Sequence, residues 1–261
     1  MNIGVIFAGG KGVRMGAGLP KQFLEINGKP IIIHTIQLFE YHAEIDRIYI
    51  SVLEDYIPYM QELIEEYRIR KVGAIVEGGE TTQDSIYNAL KAIERDNNEN
   101  PVVLIHDGVR PFVSYEVITK NIQSVKSKGN AITCIPCSET ILLSRNGETV
   151  ENVPYRKETH VAQAPQSFYL KDIIAAHDVV RSRPDGYENM VDACTIIRSL
   201  GIDANMITGN RGNIKVTTPE DVYLFRALLQ YKENEQAFGL GLTDLIETRI
   251  NKAKTKNAED I

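Results

Sequence analysis

The feature that most constrains this chain is a short apolar run, Ile3-Gly4-Val5-Ile6-Phe7, that breaks directly into a loop rich in glycine. An apolar run bounded by glycine predicts a buried parallel strand. The loop holds Gly9, Gly10, Gly12, Gly16 and Gly18. Glycine lets backbone amides turn inward and approach a phosphate closely. Arg14 and Lys21 add positive charge to the same stretch. A glycine loop at the carboxyl end of a first strand is where open α/β sheets bind nucleotides. Such a loop with added cations suits a triphosphate whose charge grows during reaction. Two common phosphate motifs fit poorly. No Gly-Lys-Ser/Thr closes the loop in the Walker manner, and Gly16, Gly18 and Pro20 prevent the immediate helix of a dinucleotide fingerprint.

The chain has 261 residues, 43% of them hydrophobic, which is ample for one sizeable core. A net charge of −6 argues against a general nucleic-acid binder. No apolar run reaches membrane-spanning length and no signal peptide precedes the first strand, so a cytoplasmic protein with no membrane partner is expected. Cys134-Ile-Pro-Cys137 is formally a Cys-x-x-Cys pair, but no further zinc ligands accompany it. It falls in an apolar run that reads as a strand, so structural thiols are expected there and at Cys194.

Strand and helix patterns alternate along the chain, which predicts an α/β fold with a mostly parallel sheet. Helices are expected over 31–41, 55–67, from the loop at 77–85 to about 95, 115–126, 171–181, 189–200 and 219–232. Strands are expected over 3–7, 47–53, 74–76, 101–105, 130–137 and 203–208. Ser114 is the expected cap of one helix, and Thr218 with Pro219 the start of another. A second glycine turn, Gly78-Gly79, precedes the helix of residues 85–95. Asn146-Gly147 between extended pieces at 140–144 and 148–153 is a hairpin signal. The expected organisation is a domain over 1–232, with a projecting β-arm at about 138–163, followed by a polar extension over 233–261 with a helix at 243–253.

Ala8-Gly9-Gly10, Arg14-Met15-Gly16 and Leu19-Pro20-Lys21-Gln22-Phe23 together resemble the signature of the cytidylyltransferases that act on sugar-alcohol phosphates. His106-Asp107-Gly108-Val109-Arg110-Pro111, the segment 160–168 and Asn213 to Asp221 extend the resemblance from residue 3 to about 229. The family includes the 2-C-methylerythritol 4-phosphate enzyme of isoprenoid synthesis and the ribitol 5-phosphate enzyme of teichoic acid and capsule synthesis. It implies a Rossmann-like nucleotidyltransferase three-layer sandwich and a homodimer formed through the arm. It also implies CTP as nucleotide, with Phe7, Ala8, Gly9, Gly10, Gly12, Gly79, Glu80, Ser85 and Gly108 as its contacts. Glu80, Thr81 and Thr82 stand where the family more often has Asp and Arg, and Ala164 stands where threonine is common. Arg14, Lys21, Arg156 and Lys215 are implied as catalytic cations, Arg156 in a partner's site, with Arg110, Thr140 and Asp192 as acceptor contacts. Asp192-Ala193-Cys194 is the form usual in ribitol-type members; the methylerythritol type usually has Thr-Asp-Glu.

Asp107 follows an apolar run directly and suits Mg²⁺, a hard cation that prefers oxygen ligands. The competing reading makes it a turn cap or a partner of Arg110. Asp192 has a competing reading too, as an aspartate at a helix start. The expected reaction is attack by the phosphate of a sugar-alcohol phosphate on the α-phosphorus of CTP. A different class remains open, a nicotinamide-dependent dehydrogenase with Glu54 or Asp55 on the ribose, as does a nucleotide-sensing protein without turnover.

Overall fold

The computed structural model describes residues 1–9 and 19–238. Gly10, Gly12, Arg14, Gly16, Gly18 and the helix expected at 243–253 lie outside them. The chain separates into two compact units, Met1–Lys215 and a second that begins at Val216.

The first unit is built on seven strands in the order β5-β4-β1-β6-β8-β7-β9. They are β1 (Asn2–Ala8), β4 (Arg47–Val52), β5 (Val72–Glu77), β6 (Val102–Asp107), β7 (Asn130–Pro136), β8 (His160–Tyr169) and β9 (Met206–Thr208). A two-stranded hairpin, β2 (Glu25–Ile26) and β3 (Lys29–Pro30), turns at Asn27-Gly28. β1 pairs in parallel with β4 and β6, and β4 with β5; β8 alone runs against its neighbours β6 and β7.

The parallel strands are apolar on both faces, because helices cover both. Alternate residues divide the core. Ile6, Ile48, Ile50, Val52 and Leu104 face α1 (Ile31–Glu40), α2 (Ile57–Glu66) and α4 (Tyr115–Lys128). Ile3, Val5, Tyr49, Val103 and Ile105 face α3 (Thr82–Asp96), α5 (Leu170–Arg181) and α6 (Ala193–Ser199). The result is the expected three-layer sandwich. From β1 the chain passes through α1 to β4 on one side, and α3 later carries it to β6 on the other. The carboxyl ends of β1 and β6 therefore flank a switch point, the place where such sheets bind ligands.

Several expected elements shift. Residues 160–169 form a ten-residue strand that the sequence pattern did not announce. The helix expected from 189 begins only at Ala193, because Asn189 is left-handed (φ 65°) and Asp192 caps the helix, accepting from the Thr195 amide. The segment expected to form the arm has a single bridge, Leu143 with Asn152, in place of two extended runs. Cys134 lies buried in β7 and all three cysteines are free thiols. In the second unit α7 (Pro219–Phe238) runs beyond the expected end at Lys232. Its start is as expected, and the Asp221 carboxylate accepts from the Thr217 and Thr218 amides at 2.7 and 2.8 Å.

Candidate active site

Phe7 and Asp107 sit opposite each other in the β1–β6 register, and the Gly108 amide donates to the Phe7 carbonyl at 2.9 Å. Asp107 thus lies beside the end of β1, where the chain enters the first glycine loop. Beyond that loop, Lys21 begins a short helical turn, Lys21–Phe23, which Phe23 anchors in the core. Gln22 ties it back by donating to the Ala8 carbonyl at 2.7 Å.

The second glycine turn packs against Gly9. The Ser85 hydroxyl accepts from the Gly79 amide and donates to the Thr81 carbonyl, both at 3.0 Å. A Cβ on Gly9 would lie 2.5 Å from that hydroxyl oxygen, and one on Gly79 would lie 2.2 Å from the Asp84 Cβ. Both glycines are therefore set by close approach rather than by an unusual φ. Thr81 and Asp84 form a reciprocal capping box at the start of α3. Arg181 of α5 pairs with Asp84 at 2.5 Å and lies 4.4 Å over the Tyr87 ring, which holds this helix start in place.

Asp107 is buried, and both carboxylate oxygens are engaged: Arg110 Nε at 2.8 Å and Lys215 Nζ at 2.6 Å. Burial alone would push its pKa up, but the charges of Lys215 and Arg110 outweigh it and hold the carboxyl below its ordinary value. Arg110 is fixed in turn by donating to the Asn213 carbonyl at 2.9 Å. The buried His106 donates from Nε2 to the Arg110 carbonyl at 3.0 Å, and burial lowers its pKa to about 4, so the ring is neutral. Lys215 remains half exposed, so its ammonium has donors to spare for a ligand.

Asp107, Arg110 and Lys215 line a cavity of about 160 Å³. They give it charge; Gln83, Gln163, Gln166 and Asp192 give it a polar wall; Phe7, Ile86 and Ile105 contribute apolar surface. Asp192 both lines the cavity and caps α6. Its Oδ1 accepts from the Thr195 amide and its Oδ2 accepts from Gln166 Nε2, each at 2.8 Å. Gln166 Oε1 in turn accepts from the Cys194 amide at 2.8 Å. Asp192-Ala193-Cys194 is thus a helix start clasped by one glutamine amide.

Among the expected site residues, Phe7, Asp107, Arg110, Asp192 and Lys215 come together around the cavity. Gly9, Gly79, Ser85 and Gly108 shape the loops beside it. Glu80 is exposed on its loop, and Thr140 and Arg156 are exposed on the arm and are not part of the lining. Arg14, Gly10 and Gly12 are outside the described residues. Gln83, Gln166 and Asn213 were assigned no role from sequence. A signal existed for Gln83, a polar residue heading the apolar stripe Ile86, Leu90, Ile93. Among the described residues no group of three or more His, Cys, Asp or Glu could hold a metal.

A glycine-lined switch point with an ionised aspartate and fixed cations defines a nucleotide-handling α/β enzyme. The profile of the family described as IspD, 2-C-methyl-D-erythritol 4-phosphate cytidylyltransferase, matches residues 3–231, and the chain belongs to this family of nucleotidyltransferases. It is 45% identical to a ribitol-5-phosphate cytidylyltransferase of Streptococcus agalactiae, over 92% of this chain and 100% of that one. It is 37% identical to a 2-C-methyl-D-erythritol 4-phosphate cytidylyltransferase of Geotalea uraniireducens, over 88% of this chain and 97% of that one. Among solved structures, a 4-diphosphocytidyl-2C-methyl-D-erythritol synthase of Anaerococcus prevotii superposes with a TM-score of 0.77 at 26% identity, covering 88% of this chain and 96% of that one. Membership sets the dehydrogenase alternative aside.

Proposed function

We propose that the chain transfers the cytidylyl group of CTP to D-ribitol 5-phosphate, giving CDP-ribitol and pyrophosphate. The observation that carries this choice is the 45% identity to a ribitol-5-phosphate cytidylyltransferase over that protein's whole length, against 37% for the methylerythritol relative. The clasped Asp192-Ala193-Cys194 start agrees with it.

In this reading a phosphate oxygen of the acceptor attacks the α-phosphorus of CTP, the bond to the β-phosphate breaks, and pyrophosphate leaves. The attacking monoester has a second pKa of about 6, so it is largely dianionic at neutral pH and needs no general base. The obstacle is the approach of two anions, and fixed cations lower it. Lys21 and Arg14 serve the nucleotide phosphates; Lys215 and Arg110 hold the acceptor phosphate in line. Mg²⁺ fits the donor set only as an ion completed by the triphosphate, because Asp107 is a single carboxylate already facing two cations. Asp107 would hold it, and the ion would neutralise charge on the nucleotide phosphates.

The arm supports a homodimer in which Arg156 reaches the partner's acceptor site. Its apolar residues Leu142, Leu143, Val150, Val153 and Tyr155 are all exposed in the single chain.

The test is pyrophosphate release from CTP with ribitol 5-phosphate or 2-C-methylerythritol 4-phosphate, each with Mg²⁺ and with chelator. Release with ribitol 5-phosphate and Mg²⁺ alone is expected. Release only with methylerythritol phosphate would replace the proposed acceptor, and full release in chelator would remove the metal.

A further inference from the structure

We propose that Gln83 is a specificity-determining residue that reads a pair of neighbouring hydroxyls on the acceptor's carbon chain. The inference rests on the proposed function and adds a residue to it. Gln83 is in the first turn of α3, on the stripe that continues through Ile86, Leu90 and Ile93 into the core. A leucine would satisfy that stripe. Instead an amide is buried there, 2% exposed, and it lines the cavity beside Asp107, Arg110 and Lys215. Neither its Nε2 nor its Oε1 has a hydrogen-bond partner. Buried polar groups are nearly always paired, so one left open at both ends and lining a cavity signals a missing ligand.

The other amides and the carboxylate of this wall are engaged in full or in part. Gln166 spends its amide on Asp192 and Cys194, and Asp192 spends its oxygens on Thr195 and Gln166. Gln163 donates to the Asn210 carbonyl at 3.3 Å and keeps only its Oε1 open. Gln83 is therefore the one amide of the described lining with a donor and an acceptor both unused. A donor and an acceptor side by side match two adjacent hydroxyls, one giving and one taking a hydrogen bond. Such hydroxyls occur on the polyol and on the ribose of CTP. The acceptor is the better fit, since the cavity also contains Arg110 and Lys215, the cations assigned to its phosphate.

A site built to pair hydroxyls discriminates strongly once its own polar groups lose their partners. The experiment compares full-length wild type with Gln83→Leu and Gln83→Met. For each it measures melting temperature, kcat/KM for ribitol 5-phosphate at saturating CTP, and KM for CTP. We expect kcat/KM for the acceptor to fall about 10- to 100-fold. We expect KM for CTP to stay within about twofold and the melting temperature to hold or rise, because an unpaired buried amide has been removed. An unchanged acceptor kcat/KM overturns the proposal. A loss confined to KM for CTP moves the contact to the ribose and overturns it as well. A lower melting temperature in both variants with normal kinetics assigns Gln83 to packing. If wild type releases no pyrophosphate with any polyol phosphate, the proposed function falls and takes this inference with it. If wild type turns over and the variants match it, this inference falls alone.

Discussion

Single charges decide the chemistry of this site. Asp107 stays ionised because Lys215 and Arg110 more than offset its burial. Lys215 pairs with Asp107, and in the proposed reaction it also meets the incoming phosphate. Lys215→Ala should therefore lower turnover roughly 100- to 1000-fold, the usual cost of losing a charge-stabilising donor. The measurement is kcat in protein with an unchanged circular dichroism spectrum; near-normal turnover would remove Lys215 from the mechanism. In sequence, Asp107 stands out because it follows an apolar strand directly, whereas Arg110 and Lys215 are picked out only by the family resemblance. The sequence did not expose the polar wall. Gln83, Gln166 and Asn213 are ordinary amides in sequence, and only burial and partner counting separate them from surface residues.

At the scale of elements, regular periodicity was readable and pairing context was not. The strands β1, β4 and β6 and the helices α1, α3 and α4 fall close to their expected positions because their apolar spacing is strong. β8 escaped because His160 to Tyr169 contains alanine, glutamine and proline and alternates poorly. It is a strand because β6 and β7 offer it two unpaired edges. The arm is the converse case. Its Asn-Gly turn suggested a hairpin, yet only one bridge forms within the chain. An arm that exposes Leu142 and Val150 at 57% and 56% is expected to bury them against a second copy. Wild type should then sediment as a dimer at micromolar concentration, while replacing both residues with serine should yield monomers with little turnover. A fully active monomeric wild type would sink the proposal.

The whole molecule should respond to pH through two buried histidines. Burial lowers both His106 and His177 from 6.5 to about 4. Between those values the unfolded chain binds more protons than the folded one, so stability falls as pH falls. The contribution is complete above the unfolded value near 6.5. By pH 5 each histidine should cost about 2 kcal/mol, and the loss levels off below about pH 4. Urea unfolding at pH 7 and pH 5 checks this; His177→Gln should remove about half of the difference. Equal stability at both pH values would mean that neither ring is held neutral. By itself the sequence determined the alternating α/β layers, the two glycine turns and the charged residues near them, because hydrophobic period and local turn chemistry are written in consecutive residues. Only the tertiary structure decided that Phe7 faces Asp107, that Gly9 packs on Ser85, that Gln166 clasps the start of α6, and that Gln83 lies buried and unpaired. Those contacts join segments far apart in the chain, and the strand register and packing that bring them together are properties of the closed fold rather than of any one stretch.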